Sequence, residues 1–413
     1  MYGESILEVD PGKIRSNLEE LKKKSKAAVF AVLKANAYGL GALPLATYLE
    51  DGVSAFCVAS PREALDLRKV TKLPILLLGY SGEGIKEDLI REGVSFAIPN
   101  LEEARTLDRI AGGLNMKASV HLALDTGHSR IGFMTAYEDR ENFLEKIYVG
   151  DGGLKGGKLE IARPFDLSDF PVDRDSEINK ESLSEIRQVY RMKNLSVDGV
   201  YSHFSRADEE EGGPFTLYQW GRFYNFTHLM GEAGLETGSR HIANDGGLLT
   251  LPAFMQLDAV RLGICLYGHY PSEYIRENTD LKLFIPYRWT SPIVHIKWIG
   301  GGVGVGYGQT WTAPGPRKIA TIQVGYADGY SRLLSNKGHV LIGDQPCPIV
   351  GRVCMDQIMA DITGIDHVGV GDRAVLMSED YSADLIAAET GTISYEVLST
   401  IGPRVERVIK ERS

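Results

Sequence analysis

The chain has little cysteine. Its four, Cys57, Cys265, Cys347 and Cys354, lie far apart and form no Cys-X-X-Cys pair. That spacing excludes a zinc-ribbon pattern, gives no reason to expect a metal, and points to reduced thiols. Long apolar runs are also missing, since none approaches the roughly 18–20 residues of a membrane span. The opening Met1-Tyr-Gly-Glu-Ser-Ile-Leu-Glu8 lacks the basic and apolar regions of a secretory signal, so a soluble, cytoplasmic protein is expected. Positive charge is in deficit: Lys and Arg total 45 against 55 Asp and Glu, giving a net charge of −10 and a pI near 5.5. That balance argues against nucleic acid or an anionic membrane as partner. It says little about a small-molecule site, which is set locally. A glycine-dense stretch, Gly300–Gly308, lacks the Gly-Lys-Ser/Thr of a nucleotide loop and has no βαβ unit around it.

What the chain does have is length and rhythm. At 413 residues it exceeds one ordinary core, so two domains, or a barrel with an appendage, are expected. Asp10-Pro11 reads as N-cap and first helical residue, with Ile14, Leu18 and Leu21 on one face. Strand candidates follow at Ala28–Leu33, Ala55–Ala59, Ile75–Gly79, Ser95–Ile98, Ala118–Leu124, Val197–His203, His241–Ala243 and Ala259–Ile264. Helical stretches such as Arg62–Val70, Leu101–Ile110 and Phe215–Ala233 separate them. Eight such alternations match the count and length of a (β/α)8 barrel. The barrel is expected over residues 11–280, interrupted by an aperiodic surface insertion at about 149–180. Beyond 280 the runs Ile293–Ile299, Lys318–Val324, His339–Ile342 and Ala374–Met377 predict a mostly-β domain over 281–413, with one helical stretch at Ser382–Thr390. Residues 1–10, with a strand at Ser5–Val9, are expected to join that second domain. The fold class is therefore α/β: a TIM-type barrel followed by a C-terminal β-rich domain.

The most informative stretch is Ala31-Val-Leu-Lys34-Ala-Asn-Ala-Tyr38-Gly-Leu-Gly41. An apolar run delivers a lysine at its end, where a glycine-flanked turn opens. A lysine at such a junction ordinarily snorkels to solvent. Burial instead lowers an amine's pKa, and an unprotonated amine can form a Schiff base or act as a base. The letters around Lys34 resemble the pyridoxal phosphate (PLP) attachment site of alanine racemases, fold type III PLP enzymes. The resemblance extends over nearly the whole chain in separated motifs.

By that resemblance Lys34 carries the cofactor and serves as one of two catalytic bases, and Tyr38 contacts the cofactor phosphate. Asp258-Ala-Val-Arg261-Leu-Gly263-Ile264 is similar to the segment ending the last barrel strand. There the N–H groups of Gly263 and Ile264 would cradle the phosphate, and Arg261 would face the pyridine nitrogen. An always-protonated arginine leaves that nitrogen unprotonated, which favours return of a proton over transamination. His203, in Tyr201-Ser-His-Phe, matches a histidine packed against the ring; Asn244 and Tyr395 match further cofactor contacts, Tyr395 also gating entry. Arg130, in Asp125-Thr-Gly-His-Ser-Arg130, matches the arginine that binds the substrate carboxylate. A racemase removes the α-proton from one face and returns one to the other, so a second acid/base must stand opposite the lysine. Tyr307, in Gly304-Val-Gly306-Tyr307-Gly-Gln-Thr-Trp311, matches the tyrosine with that role, supplied by a partner subunit. Met355 and Asp356, in Gly351-Arg352-Val-Cys354-Met355-Asp356-Gln357, match substrate-binding residues of the other subunit; Cys354 has no activating motif and reads as a packed thiol. Asp208, Tyr326, Arg332 and Arg352 match entryway positions. A homodimer with shared active sites and a small amino-acid substrate are implied.

The chain departs from the family pattern at three positions. Ala123 stands where many members carry a lysine that positions the arginine, His128 where methionine is common, and Asp245 where a phosphate-binding serine is usual. An aspartate side chain repels phosphate, so Asp245 is expected to point away or bind something else. These departures leave a racemase of serine, lysine or a broader set as the rival to alanine. A fold type III decarboxylase shares the barrel-plus-β plan, but its catalytic cysteine and glycine-rich barrel loop have no counterpart here. A barrel-only PLP carrier would lack the domain that brings Tyr307.

Overall fold

Asp10 starts the barrel. Its carboxylate accepts from the N–H groups of Gly12 and Lys13 at 2.9 and 3.2 Å, and Pro11 takes the first helical position, where a missing N–H costs nothing. The helix Pro11–Lys22 buries Ile14, Leu18 and Leu21, each contributing about 1.5–3 kcal/mol. The computed structural model describes residues 5–137 and 172–410. Eight parallel strands run Ala28–Val32, Ala55–Val58, Ile75–Leu77, Val94–Ile98, Ala118–Asp125, Leu195–Tyr201, Ser239–His241 and Ala259–Leu262. Hydrogen bonds from Asp258 N to Arg240 O (3.1 Å) and from Arg261 N to Ala243 O (2.9 Å) join the last two strands, and the last pairs with the first. The ring is closed.

The sequence pattern locates these strands with two displacements, each of two residues toward the N-terminus; the first is the strand expected at Val197–His203, which runs Leu195–Tyr201. His241–Ala243 was expected, whereas the strand is Ser239–His241, because the chain leaves the ladder to reach Asn244, the N-cap of the helix Asp245–Thr250. The helices Pro61–Arg68, Leu101–Gly113 and Gly213–Glu232 fill the expected stretches. Helix Glu177–Tyr190 begins inside the stretch read as aperiodic; residues 149–171 of that stretch lie outside the described residues. No helix among the described residues is long and apolar enough to cross a membrane.

The C-terminal unit is β-rich. Its longest strand, Tyr287–Ile299, starts earlier than the apolar run suggested, because Pro292 interrupts the pattern without ending the strand. The register shifts on both sides of that proline, as a residue without an N–H requires. Strands Arg317–Ile322, His339–Ile342 and Arg373–Met377 match the expected runs. Gln345–Pro348, Ile358–Asp361 and Glu406–Ile409 are additional. The first strand, Ile6–Val9, lies antiparallel to Tyr287–Thr290 and parallel to Glu406–Ile409.

The segment after the first barrel strand carries the least expected backbone. Ala35, Asn36, Ala37 and Tyr38 have φ of 52, 56, 53 and 53°, one left-handed turn built without glycine. Left-handed helical geometry costs L-residues about 1–2 kcal/mol each. The turn is held by Ala37 N to Leu33 O (2.8 Å), Gly39 N to Ala35 O (2.8 Å) and Gly41 N to Asn36 O (2.9 Å). Outside it, Glu63 Oε1 accepts from Ala35 N at 2.6 Å. Gly39, at φ 84°, then passes under the second domain, where a Cβ would strike the carbonyl of Leu398. Gly39→Ala is therefore expected to cost about 2–5 kcal/mol, from the left-handed backbone and the collision together. Equilibrium denaturation checks this, and a loss below about 1 kcal/mol would mean that the junction gives way easily.

Candidate active site

A cavity of about 430 Å³ opens at the C-terminal ends of the barrel strands, where barrel enzymes place their chemistry. Lys34, Tyr38, Arg130, His203, Asp208, Asn244, Arg261, Gly263 and Tyr395 all line it. Strand ends and the turns after them supply every one except Asp208 and Tyr395, so the cavity is a product of the barrel's closure. Tyr395 comes from the second domain, its ring 5.9 Å from that of Tyr38.

Arg261 is the centre of the polar structure. Only 4% exposed, it donates from Nη1 to His241 Nδ1 (2.7 Å) and His241 O (2.9 Å). From Nη2 it donates to Ser202 O (2.6 Å) and His203 Nδ1 (2.9 Å). A guanidinium can only donate, so both imidazoles accept at Nδ1 and are neutral with the proton on Nε2. His241 Nε2 then donates to His121 Nδ1 at 2.9 Å. Burial and the guanidinium hold His203 and His241 well below the usual histidine range, and burial pushes His121 down to about 4. No carboxylate among the described residues pairs with Arg261, which leaves a buried cation stacked only on neutral rings, Tyr201 among them at 5.5 Å. The hydrogen bonds use Nη1 and Nη2 and leave the Nε–H.

Lys34 is half-buried. Its amine sits below the ordinary lysine value, first through burial and then through the nearby Arg130 guanidinium, with Glu63 opposing. Glu63 does two jobs. It caps its own helix with Ser60, and it anchors the turn that carries Lys34 through Ala35 N. Asp125 shapes the loop of Arg130, its Oδ1 accepting from Gly127 N (2.9 Å) and Ser129 N (3.0 Å). Three buried polar atoms on the cavity wall have no hydrogen-bond partner: Tyr201 Oη, His128 Nδ1 and Asp245 Oδ1. Unpaired polar atoms are costly when buried, and together they mark where a polar ligand fits.

At the other end, Gly263 N and Ile264 N converge on one oxygen, Asp245 Oδ2, at 2.9 and 3.1 Å. Of the two expectations for Asp245, to point away or to bind something else, the second holds: its carboxylate binds the N–H groups of the anion cradle itself. Gly263 is required there, since a Cβ would stand 2.6 Å from Tyr38 Oη. Asn244 lines the cavity but uses its Oδ1 to cap Gly247 N at 2.9 Å, so it positions the helix bearing Asp245. Among the described residues, no group of three or more His, Cys, Asp or Glu could hold a metal ion.

The remaining expected residues, Tyr307, Tyr326, Arg332, Arg352, Met355 and Asp356, do not line the cavity of their own chain. They gather on the second domain instead. Tyr307 is 70% exposed between Gly306 and Gly308, and Gly308 lies against the Arg352 guanidinium. Backbone bonds from Tyr326 N to Cys354 O (3.1 Å) and Ala327 N to Met355 O (3.0 Å) tie the other residues into one patch. Arg404 bridges Asp356 (2.9 Å) and Asp328 (3.1 Å) beside it. Cys354 is half-buried and its thiol is raised by burial, in keeping with a packed thiol.

Two family models match the chain: "Alanine racemase, N-terminal domain" over residues 9–154 and 178–271, and "Alanine racemase, C-terminal domain" over 287–409. The chain belongs to the alanine racemase family. An alanine racemase of Clostridium perfringens is 34% identical over 98% of this chain and 95% of its own length. The solved alanine racemase of Clostridium difficile 630 superposes with a TM-score of 0.84 at 32% identity, covering 99% of this chain and 96% of the other. A Bartonella henselae alanine racemase, solved with covalently bound pyridoxal phosphate, has a TM-score of 0.77 at 26% identity over 98% of this chain and 99% of that one. The alanine racemase N-terminal match breaks between 154 and 178, inside the segment read as an insertion.

Sequence reasoning missed several parts of this alanine racemase site. His121 and His241 alternate inward from barrel strands, and a lone histidine in the apolar run Ala118–Leu124 was the available signal. Glu63, a helix cap by pattern, carried no signal of its second contact.

The surroundings of Lys34 give a signed test. Labelling of its amine by an acylating reagent, followed by peptide mass spectrometry, is expected to reach half-maximal rate below the ordinary lysine pKa of 10.5. Arg130→Ala should move that midpoint up, because a repelling cation is gone; Glu63→Gln should move it down. A midpoint that neither substitution shifts would sever the amine from both charges.

Proposed function

We propose that this protein is a PLP-dependent racemase that interconverts L- and D-alanine, working as a cytoplasmic homodimer with shared active sites. One observation carries the reading: a single cavity holds an amine of lowered pKa and a buried guanidinium resting on neutral imidazoles, with no carboxylate among the described residues paired to that guanidinium. The donor set suits the pyridoxal phosphate that the Bartonella henselae relative binds. Lys34 would hold the cofactor covalently, Arg261 would offer its remaining Nε–H to the ring nitrogen, and His203 would lie beside the ring. Tyr38, Tyr395 and the N–H groups of Gly263 and Ile264 would face the phosphate. When bound, the cofactor withdraws electrons from the substrate α-carbon and makes its proton labile.

This chain's residues then do the rest. Arg130, on the cavity wall, would hold the substrate carboxylate. Lys34 Nζ takes or returns the α-proton on one face, helped by an environment that favours its neutral form. Arg261, charged even after burial, keeps the ring nitrogen unprotonated and so favours simple return of the proton. On the opposite face the proton is moved by the Oη of Tyr307 of the partner subunit. The exposure of Tyr307 and Met355 away from the lining of their own cavity supports that exchange, as does the exposed position of Asp356, Tyr326, Arg332 and Arg352, while Asp208 stands at the entry of its own chain's cavity. The four unpaired cysteines suit a reducing compartment.

A second reading keeps the chemistry and changes the amino acid. It is favoured by His128, whose unpartnered Nδ1 faces the cavity beside Arg130. Steady-state racemisation across L-amino acids separates the two, and a kcat/KM higher for serine or lysine than for alanine would sink the alanine assignment. Tyr307→Phe is expected to lower racemisation about 10²–10⁴-fold while α-proton exchange with D2O persists for one enantiomer. Undiminished racemisation in that variant, or a fully active monomer, would remove the two-base scheme.

A further inference from the structure

Asp245 is 5% exposed and directs Oδ2 at the same two N–H groups, Gly263 and Ile264, that would receive a phosphate. Its other oxygen, Oδ1, is buried without a hydrogen-bond partner. A phosphate monoester brings a charge of about −1.5 to −2, and two anions cannot share a dry site at ordinary cost. A protonated carboxyl changes the chemistry of the position. It becomes an O–H donor, able to give one hydrogen bond to a phosphate oxygen as a hydroxyl would, while it releases the two backbone N–H groups.

We propose that Asp245 is a built-in competitor for the phosphate end of the site, so that binding of a phosphorylated cofactor, but not of its unphosphorylated alcohol, is coupled to uptake of one proton at this carboxyl. The proposal rests on the PLP reading above. The groups facing Asp245 are Tyr38 from the turn after Lys34, Tyr395 from the second domain, Cys265 and Tyr267 from the turn after Gly263, and Asp208 beside Gly246. None carries a positive charge, and of these groups Cys265 holds the carboxyl down, by hydrogen bonding to it. Burial pushes the carboxyl up to about 6, against the pull of the Gly263 and Ile264 N–H groups and of Cys265. The proton is therefore within reach near neutral pH.

The same geometry explains what a serine, or an isosteric asparagine, would do at this position. Neither can become an anion, so the cradle would accept phosphate at any pH. For one coupled proton the affinity ratio between such a variant and the wild type rises about tenfold per pH unit above the carboxyl's titration.

The test uses the full-length apoprotein, titrated with PLP and separately with pyridoxal from pH 5.5 to 8.5, with fluorescence quenching as the readout. Wild type, Asp245→Ser and Asp245→Asn are compared; either variant serves if the other does not fold. The variant-to-wild-type affinity ratio for PLP is expected to climb to about 100-fold by pH 8, two units above the titration near 6. For pyridoxal the ratio should stay near one. Ionisation of Lys34 and of the phosphate itself cancels in these ratios. Calorimetry with inorganic phosphate in two buffers of different ionisation enthalpy should count about one more proton taken up by the wild type at pH 7.5. A PLP ratio that stays flat across the range, or a pyridoxal ratio that climbs with it, overturns the coupling. Absence of PLP binding by wild type and both variants at every pH would instead defeat the cofactor reading, and this proposal with it.

Discussion

The imidazoles and carbonyls at two barrel strand ends are arranged around Arg261, a buried cation with no carboxylate partner among the described residues. A guanidinium buried without a carboxylate is expensive, since desolvation costs several kcal/mol that no ion pair returns. The fold meets that cost with carbonyls and imidazole lone pairs from two strand ends, Ser202 and His203 after one and His241 on the other. This choice fixes much else. It sets the tautomers of His203 and His241 and through them of His121, and it adds to the burial and the Arg130 charge that discourage a proton on Lys34. A carboxylate beside Arg261 would be the ordinary way to stabilise it. It would also cancel the charge that a ligand's electron pair is meant to meet.

The same region carries a second local cost, the left-handed turn from Ala35 to Tyr38. Backbone strain and an uncompensated charge within one cavity are what a site selected for chemistry accumulates, because neither improves folding. The strain is stabilised from outside the turn. Glu63 holds its start, the tyrosine cluster of Tyr38 and Tyr267, 4.9 Å between ring centroids, holds its end, and the second domain closes over Gly39. Lys34 is therefore placed by three elements distant in sequence, none of which touches its amine through a hydrogen bond.

How much of this was legible in the letters follows from range. Barrel strands are short apolar runs with punctuated ends, and period and punctuation are local, so all eight strands were readable and the bounds of two, Leu195–Tyr201 and Ser239–His241, slipped by two residues. Lys34 was readable because a lysine contradicts the run that delivers it. The direction of Asp245 was not, since charge repulsion from an expected ligand suggested withdrawal, whereas the nearest donors, two backbone N–H groups from another strand end, pull the carboxylate inward. The left-handed turn was hidden for a similar reason. Ala-Asn-Ala-Tyr has no glycine to announce positive φ, and the contacts that enforce it come from Glu63 and Tyr267. Pro292 concealed half of the longest strand by the opposite route, a local signal overruled by pairing on both sides.

The strand Ile6–Val9 sits between Tyr287–Thr290 and Glu406–Ile409, and Asp10 N bonds to Pro286 O at 2.7 Å. The barrel is thus an insert threaded through the β domain, entered and left at neighbouring points. During synthesis this strand precedes the barrel, meets Tyr287–Thr290 only once the whole barrel has been made, and meets Glu406–Ile409 after most of the second domain. The barrel can assemble as a unit while the sheet waits for both of its ends. Completion of that sheet therefore follows the barrel, and the second domain brings the helix of Tyr395 over the finished cavity.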